Sequence, residues 1–331
     1  MPPTIVPASP DARQEADLDP GLDLRGKIDR LRREMKAVIL AHYYQDSPIQ
    51  DLADFVGDSL DLSRRAASTD AQVIVFAGVR FMAETAKILS PERLVLLPDA
   101  EAGCSLETAC PAEEFRAFRQ SHPEHQAVTY INCSAEVKAA SDVIVTSSNA
   151  LAIVKQLDPH RPVLFAPDRN LGSYIARRLG RELTLWPGAC EVHEAFSLAA
   201  LTRLRQEHPR AAVAAHPECP QILLDLADHI GSTRSLLDFA ASTPAEEIIV
   251  VTEPHLLHQM RQLAPGKRLL PLMGRDGDPG GPICPYMARN TLAKLYLCML
   301  NQAPRVEMPA ELMDQARRSL QRMLDMSPPA R

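Results

Sequence analysis

Trp186-Pro187-Gly188-Ala189-Cys190-Glu191-Val192-His193 follows the apolar stretch Leu183-Thr184-Leu185 and sets a cysteine at a Pro-Gly turn, with a histidine three residues on. Two comparable stretches flank it. Pro98-Asp99-Ala100-Glu101-Ala102-Gly103-Cys104 follows the run Arg93 to Leu97, and Gly280-Gly281-Pro282-Ile283-Cys284-Pro285 follows Arg268 to Leu272. The cysteines lie 86 residues (104 to 190) and 94 residues (190 to 284) apart, and near-equal intervals of this kind indicate an internal repeat. Two further landmarks keep the period. Strand-like runs end in polar loops at Ala37 to Tyr44, Ala127 to Asn132 and Ala211 to Glu218, and small hydroxyl turns follow at Gly57-Asp58-Ser59, Thr146-Ser147-Ser148 and Gly231-Ser232-Thr233.

Strands alternating with helical segments indicate βα units on parallel sheets, with functional groups gathered beyond the carboxyl ends of the strands. The predicted fold is therefore α/β: three homologous three-layer α/β/α domains with short parallel sheets around a pseudo-threefold axis. The expected boundaries are 23–110, 111–192 and 193–285, with C-terminal helices in 286–331 packing back on the first domain. Residues 1–22 are rich in Pro and Asp, show no periodicity, and read as a disordered leader. Helices are expected on either side of Gly57-Asp58-Ser59.

A composition of 46% apolar and 24% charged residues is that of a globular protein, and a net charge of −6 argues against nucleic-acid binding. No apolar run approaches the length of a membrane span, and the first residues lack the charged and apolar regions of a signal peptide, so a cytoplasmic location is expected. Seven cysteines in a reducing compartment read as buried fillers or metal ligands rather than disulfides.

One cysteine from each of three repeats can meet at the axis, where three thiolates bind three corners of a four-iron cluster and leave one iron open. Zinc is the rival, although structural zinc normally takes four ligands, commonly in close pairs, and no Cys-x-x-Cys occurs. Cys110, Cys133, Cys219 and Cys298 break the repeat and read as core thiols. Three hydroxyl turns facing one axis would suit phosphate and carboxylates, whereas one alone would read as a helix cap. Glu218 at a strand end beside His216 is a candidate general base, and Tyr44 and Tyr130 lie at matching strand ends.

Ala41-His42-Tyr43-Tyr44-Gln45, Gln50 to Ser59, Arg80 to Lys87, Trp186 to His193, His216-Pro217-Glu218 and Gly231-Ser232-Thr233 together resemble the quinolinate synthase family, from about Leu24 to the end. The resemblance implies condensation of iminoaspartate with dihydroxyacetone phosphate to quinolinate, with loss of phosphate and water, in NAD biosynthesis. It implies one [4Fe-4S] cluster on Cys104, Cys190 and Cys284, and substrate binding by His42, Ser59, Tyr130, Asn132, Ser147, His216, Glu218 and Thr233. Glu218, Tyr44, His193 and Tyr130 are the implied catalytic residues, and functional coupling to L-aspartate oxidase is a further implication. Arg234 stands where many members have Ser, which bears on the third anion site. Outside this family, a triose- or dicarboxylate-binding protein with a structural metal, or a purely structural scaffold, would be the other readings.

Overall fold

The computed structural model describes residues 4–8, 13–275 and 281–328; Gly280 and parts of the leader and tail lie outside the described residues. Three sheets organise the chain. The first runs Thr4–Val6, Arg305–Glu307, Leu94–Leu96, Val73–Ala77, Ala37–His42, Phe55–Gly57. The second runs Val143–Val145, Gln126–Tyr130, Val163–Ala166, Thr184–Leu185, and the third His229–Ile230, Ala212–Ala215, Glu247–Val251, Arg268–Pro271.

Apart from the two strands at the edge of the first sheet, each sheet is parallel and has the same order, second-first-third-fourth strand. The order reverses at the first strand of each, which is where α/β sheets open a ligand crevice beyond the strand ends. The strands are short and apolar because helices cover both faces, and every residue of Val73–Ala77 and Val163–Ala166 is buried.

A repeated carboxylate fixes each first strand. Asp54, Asp142 and Asp228 each accept the main-chain N–H of a residue fifteen positions back, Ile39 at 2.8 Å, Ala127 at 2.7 Å and Val213 at 2.8 Å. Each also donates its own N–H to the carbonyl of that residue. This fourth landmark of the repeat pins the loop before each second strand.

Two expectations are corrected, and two strands are added. Thr4–Val6 is not part of a disordered leader but pairs antiparallel with Arg305–Glu307, giving main-chain partners to an otherwise open sheet edge. Helices stand on either side of Gly57 as expected, at Ser47–Gln50 and Ser59–Ser68, but Phe55–Gly57 and His229–Ile230 are strands that the periodicity does not place. Both are too short and too half-buried for a periodic signal. Helix Ala310–Met326 does not rest on the first domain alone. It lies across both units: Arg317 donates to the Ile88 carbonyl at 2.7 Å, and Ser319 donates to the Lys138 carbonyl at 2.7 Å. Among the described residues, no helix is long and apolar enough to cross a membrane.

Asp228→Ala should leave the buried Val213 N–H without an acceptor and lower stability by about 1–3 kcal/mol, whereas Asp228→Asn retains an acceptor. Urea denaturation of the two variants checks this, and equal midpoints would remove the clamp role.

Candidate active site

Because side chains alternate along a strand, residues i and i+2 at a strand end face the same way. The three first strands use this in register: His42 and Tyr44, Tyr130 and Asn132, His216 and Glu218 all line one cavity. Ser59, Ser147 and Thr233 line it too, as do Cys104, Cys190, His193 and Cys284. The cavity, about 70 Å³, has room for several waters or one small molecule rather than a polymer. Every site residue singled out from sequence is thus brought to one place.

Ser59 and Thr233 open helices Ser59–Ser68 and Thr233–Ser242, capped by Asp58 and Ser232. Ser147 sits in the turn before Ala150–Gln156. Helix N-termini carry unpaired N–H groups and partial positive charge, so this wall suits anions. Arg234 does not reach it: the guanidinium lies in a surface groove and donates to Asp238 at 3.1 Å.

Glu218 is 3% exposed and accepts from the Tyr130 hydroxyl at 2.5 Å, while His193 Nδ1 lies 3.0 Å from its other oxygen. A carboxylate only accepts, so His193 carries its proton on Nδ1 and Nε2 accepts from Thr252 Oγ1 at 3.1 Å. Thr252 in turn accepts the Tyr44 hydroxyl at 2.7 Å. The result is a chain of donors from Tyr44 through Thr252 and His193 to Glu218, joined from the other side by Tyr130. Burial alone would raise the Glu218 pKa, but His193 and the hydrogen bonds from His193 and Tyr130 hold it below the ordinary value. Burial raises both phenols, which stay protonated as donors. His42 Nδ1 accepts the Tyr44 N–H at 3.1 Å and His216 Nδ1 accepts the Glu218 N–H at 3.4 Å, so both rings present Nε2–H elsewhere. Burial lowers each of these histidines to about 3, leaving them neutral.

The cysteine loops are tied to the ends of the third strands. Arg80 N donates to the Ala102 carbonyl at 2.7 Å and Arg169 N to the Gly188 carbonyl at 2.8 Å. A Cβ on Gly188 would stand 2.5 Å from the Pro167 carbonyl oxygen, so only glycine permits that approach. Gly281 has φ +86° and a similar contact with the Leu272 carbonyl. Each sulfur receives main-chain N–H groups two or three residues on: Leu106 and Glu107 for Cys104, His193 for Cys190, Tyr286 and Met287 for Cys284. Such donors stabilise thiolates, yet burial still pushes Cys284 up to about 11 and the other two further. The donor set therefore fits a cationic occupant. Among the described residues, the one trio of candidate ligands whose donor atoms lie within 4.8 Å of one another is Cys190, His193 and Glu218. Cys104 and Cys284 line the same cavity as that trio. Cys110, Cys133, Cys219 and Cys298 are buried in the core.

Thr252, Asp168 and Glu253 escaped the sequence reading. A carboxylate two residues past a third strand, with a hydroxyl one residue past it in the third sheet, was the available signal.

The quinolinate synthetase A protein family matches residues 26–325. The chain belongs to that family. It is 57% identical to a quinolinate synthase of Prochlorococcus marinus (strain MIT 9303), covering 92% of this chain and 91% of the relative. It is 55% identical to that of Thermosynechococcus vestitus, covering 92% and 96%, and 53% identical to that of Trichormus variabilis, covering 95% and 98%.

Neutral His42 and His216 imply acid sensitivity. Below pH 6.5 the unfolded chain protonates both rings and the folded chain does not until about 3, so stability falls as pH drops through that window. Glu218 adds to the loss only below its unfolded value of 4.5. The thermal midpoint of the metal-free chain should therefore fall between pH 6.5 and 4.5, and flatten in a His42→Gln, His216→Gln double variant. An equally steep profile in the double variant would assign the sensitivity elsewhere.

Proposed function

We propose that the cavity condenses iminoaspartate with dihydroxyacetone phosphate to quinolinate, releasing phosphate and water, with a [4Fe-4S] cluster on Cys104, Cys190 and Cys284. One observation carries the reading: a chain of this family brings three cysteines, an anion-binding wall and a buried acid-base chain to a single small cavity. When bound, the cluster supplies a Lewis acid for a substrate hydroxyl or carboxylate at the iron without a cysteine.

The side chains do the rest. Ser59, Ser147 and Thr233 bind the phosphate and carboxylates. His42 and His216 donate from Nε2 to substrate oxygens, and Asn132, whose side-chain oxygen is buried without a partner, orients a polar substrate group. Glu218, ionised and backed by Tyr130, accepts the proton lost during tautomerisation. Tyr44, whose phenol stays protonated and is anchored on Thr252, donates to a substrate oxygen. Iminoaspartate hydrolyses readily in water, which supports functional coupling to L-aspartate oxidase in the cytoplasm.

Cys104→Ala, Cys190→Ala and Cys284→Ala should each abolish activity and remove most iron, whereas alanine at Cys110, Cys133, Cys219 or Cys298 should leave iron nearly intact. Iron analysis of anaerobically purified protein decides it. Full iron in a Cys284 variant would overturn the ligand set.

Glu218→Gln preserves size but cannot accept a proton, so turnover should fall by about 10² to 10⁴ with iron unchanged. Anaerobic turnover with iminoaspartate generated in place is the measurement. Near-normal turnover would eliminate the base role.

A further inference from the structure

Two of the three cysteines share a device that the third lacks. Asp168, fully buried, lies beyond strand Val163–Ala166 and divides its oxygens between two main-chain donors. Oδ1 accepts Leu171 N–H at 2.7 Å, capping helix Arg169–Leu179, and Oδ2 accepts the N–H of Cys190 at 3.2 Å. Glu253, equally buried, lies beyond strand Glu247–Val251 and repeats the arrangement. Oε2 accepts His255 N–H at 2.9 Å, and Oε1 accepts the N–H of Cys284 at 3.3 Å together with His255 Nδ1 at 2.8 Å. At Cys104 the loop is held by a cation instead, Arg80, which donates to the Ala100 carbonyl at 2.9 Å.

We infer that Asp168 and Glu253 are positioning residues that lock the Cys190 and Cys284 loops in the metal-binding geometry and set how firmly the metal group is retained. A carboxylate is required because both oxygens must accept. An amide offers one acceptor and turns its NH₂ toward the other N–H, so the Asn or Gln variant keeps either its local turn or its cysteine, not both. Groups that hold ligands in place typically change metal affinity by about 10- to 100-fold when lost. The inference rests on the proposed cluster.

The test is the rate of iron loss from anaerobic holoprotein to excess chelator, for wild type, Asp168→Asn and Glu253→Gln. Asp228→Ala serves as the control, since Asp228 holds the Val213 N–H near the amino end of strand Ala212–Ala215, away from the strand ends that carry the site. Thermal midpoints of the metal-free chains are measured beside it. Loss about 10- to 100-fold faster in both carboxylate variants, with midpoints no lower than that of the control, supports the inference. Wild-type rates in both variants overturn it, as does acceleration no greater than that of a control with an equal drop in midpoint. A wild-type chain that never holds iron overturns the cluster reading and this inference with it. Iron held by wild type and released at the same rate by the variants overturns the inference alone.

Discussion

A carboxylate removed from water must be given donors, and Glu218 takes its donors from different parts of the fold. Tyr130 comes from the first strand of the second sheet, and His193 from the short helix after the Cys190 loop. Glu218 itself follows the first strand of the third sheet. Losing either donor would leave a buried charge under-satisfied, so the strand ends are held together by electrostatic need as well as by packing. The cavity exists where that requirement is met.

The three units share strand order, aspartate clamp and register, yet the side chains they deliver differ. At the first inward position stand His42, Tyr130 and His216, and two residues on stand Tyr44, Asn132 and Glu218. A symmetric scaffold thereby builds an asymmetric site, with Glu218 the one acid among these six strand-end residues. The donor chain from Tyr44 to Glu218 links the first unit to the third through Thr252 and His193, so a proton can travel between two strand ends without crossing the cavity.

Beyond the hydroxyl wall, Ser148 donates to Asp58 and accepts from the Ser232 hydroxyl at 2.8 Å. These residues adjoin Ser147, Ser59 and Thr233 in sequence, so each turn gives one polar side chain to the cavity and another to the closure behind it. Asp58 borders both the cavity and the groove that holds Arg234. A cation one residue past Thr233 is thereby kept in solvent, where pairing with Asp238 is inexpensive, instead of in the buried anion wall.

Much of the molecule was readable in the sequence because it is written three times. A period carried by Cys104, Cys190 and Cys284, by the strand ends and by the hydroxyl turns specifies three parallel α/β units, and strand-end chemistry picks out Glu218, His42 and His216. Features encoded once, or by residues whose role depends on remote partners, were decided only by tertiary structure. Thr252 is an ordinary threonine until Tyr44 and His193 reach it. Asp168 and Glu253 are ordinary acids until burial obliges them to find donors and the cysteine loops supply them. Thr4–Val6 and the span of Ala310–Met326 follow the same rule, since an edge strand and a bridging helix take their meaning from surfaces made elsewhere. Local pattern fixes which elements form; desolvation, which no local window records, determines which polar groups must pair.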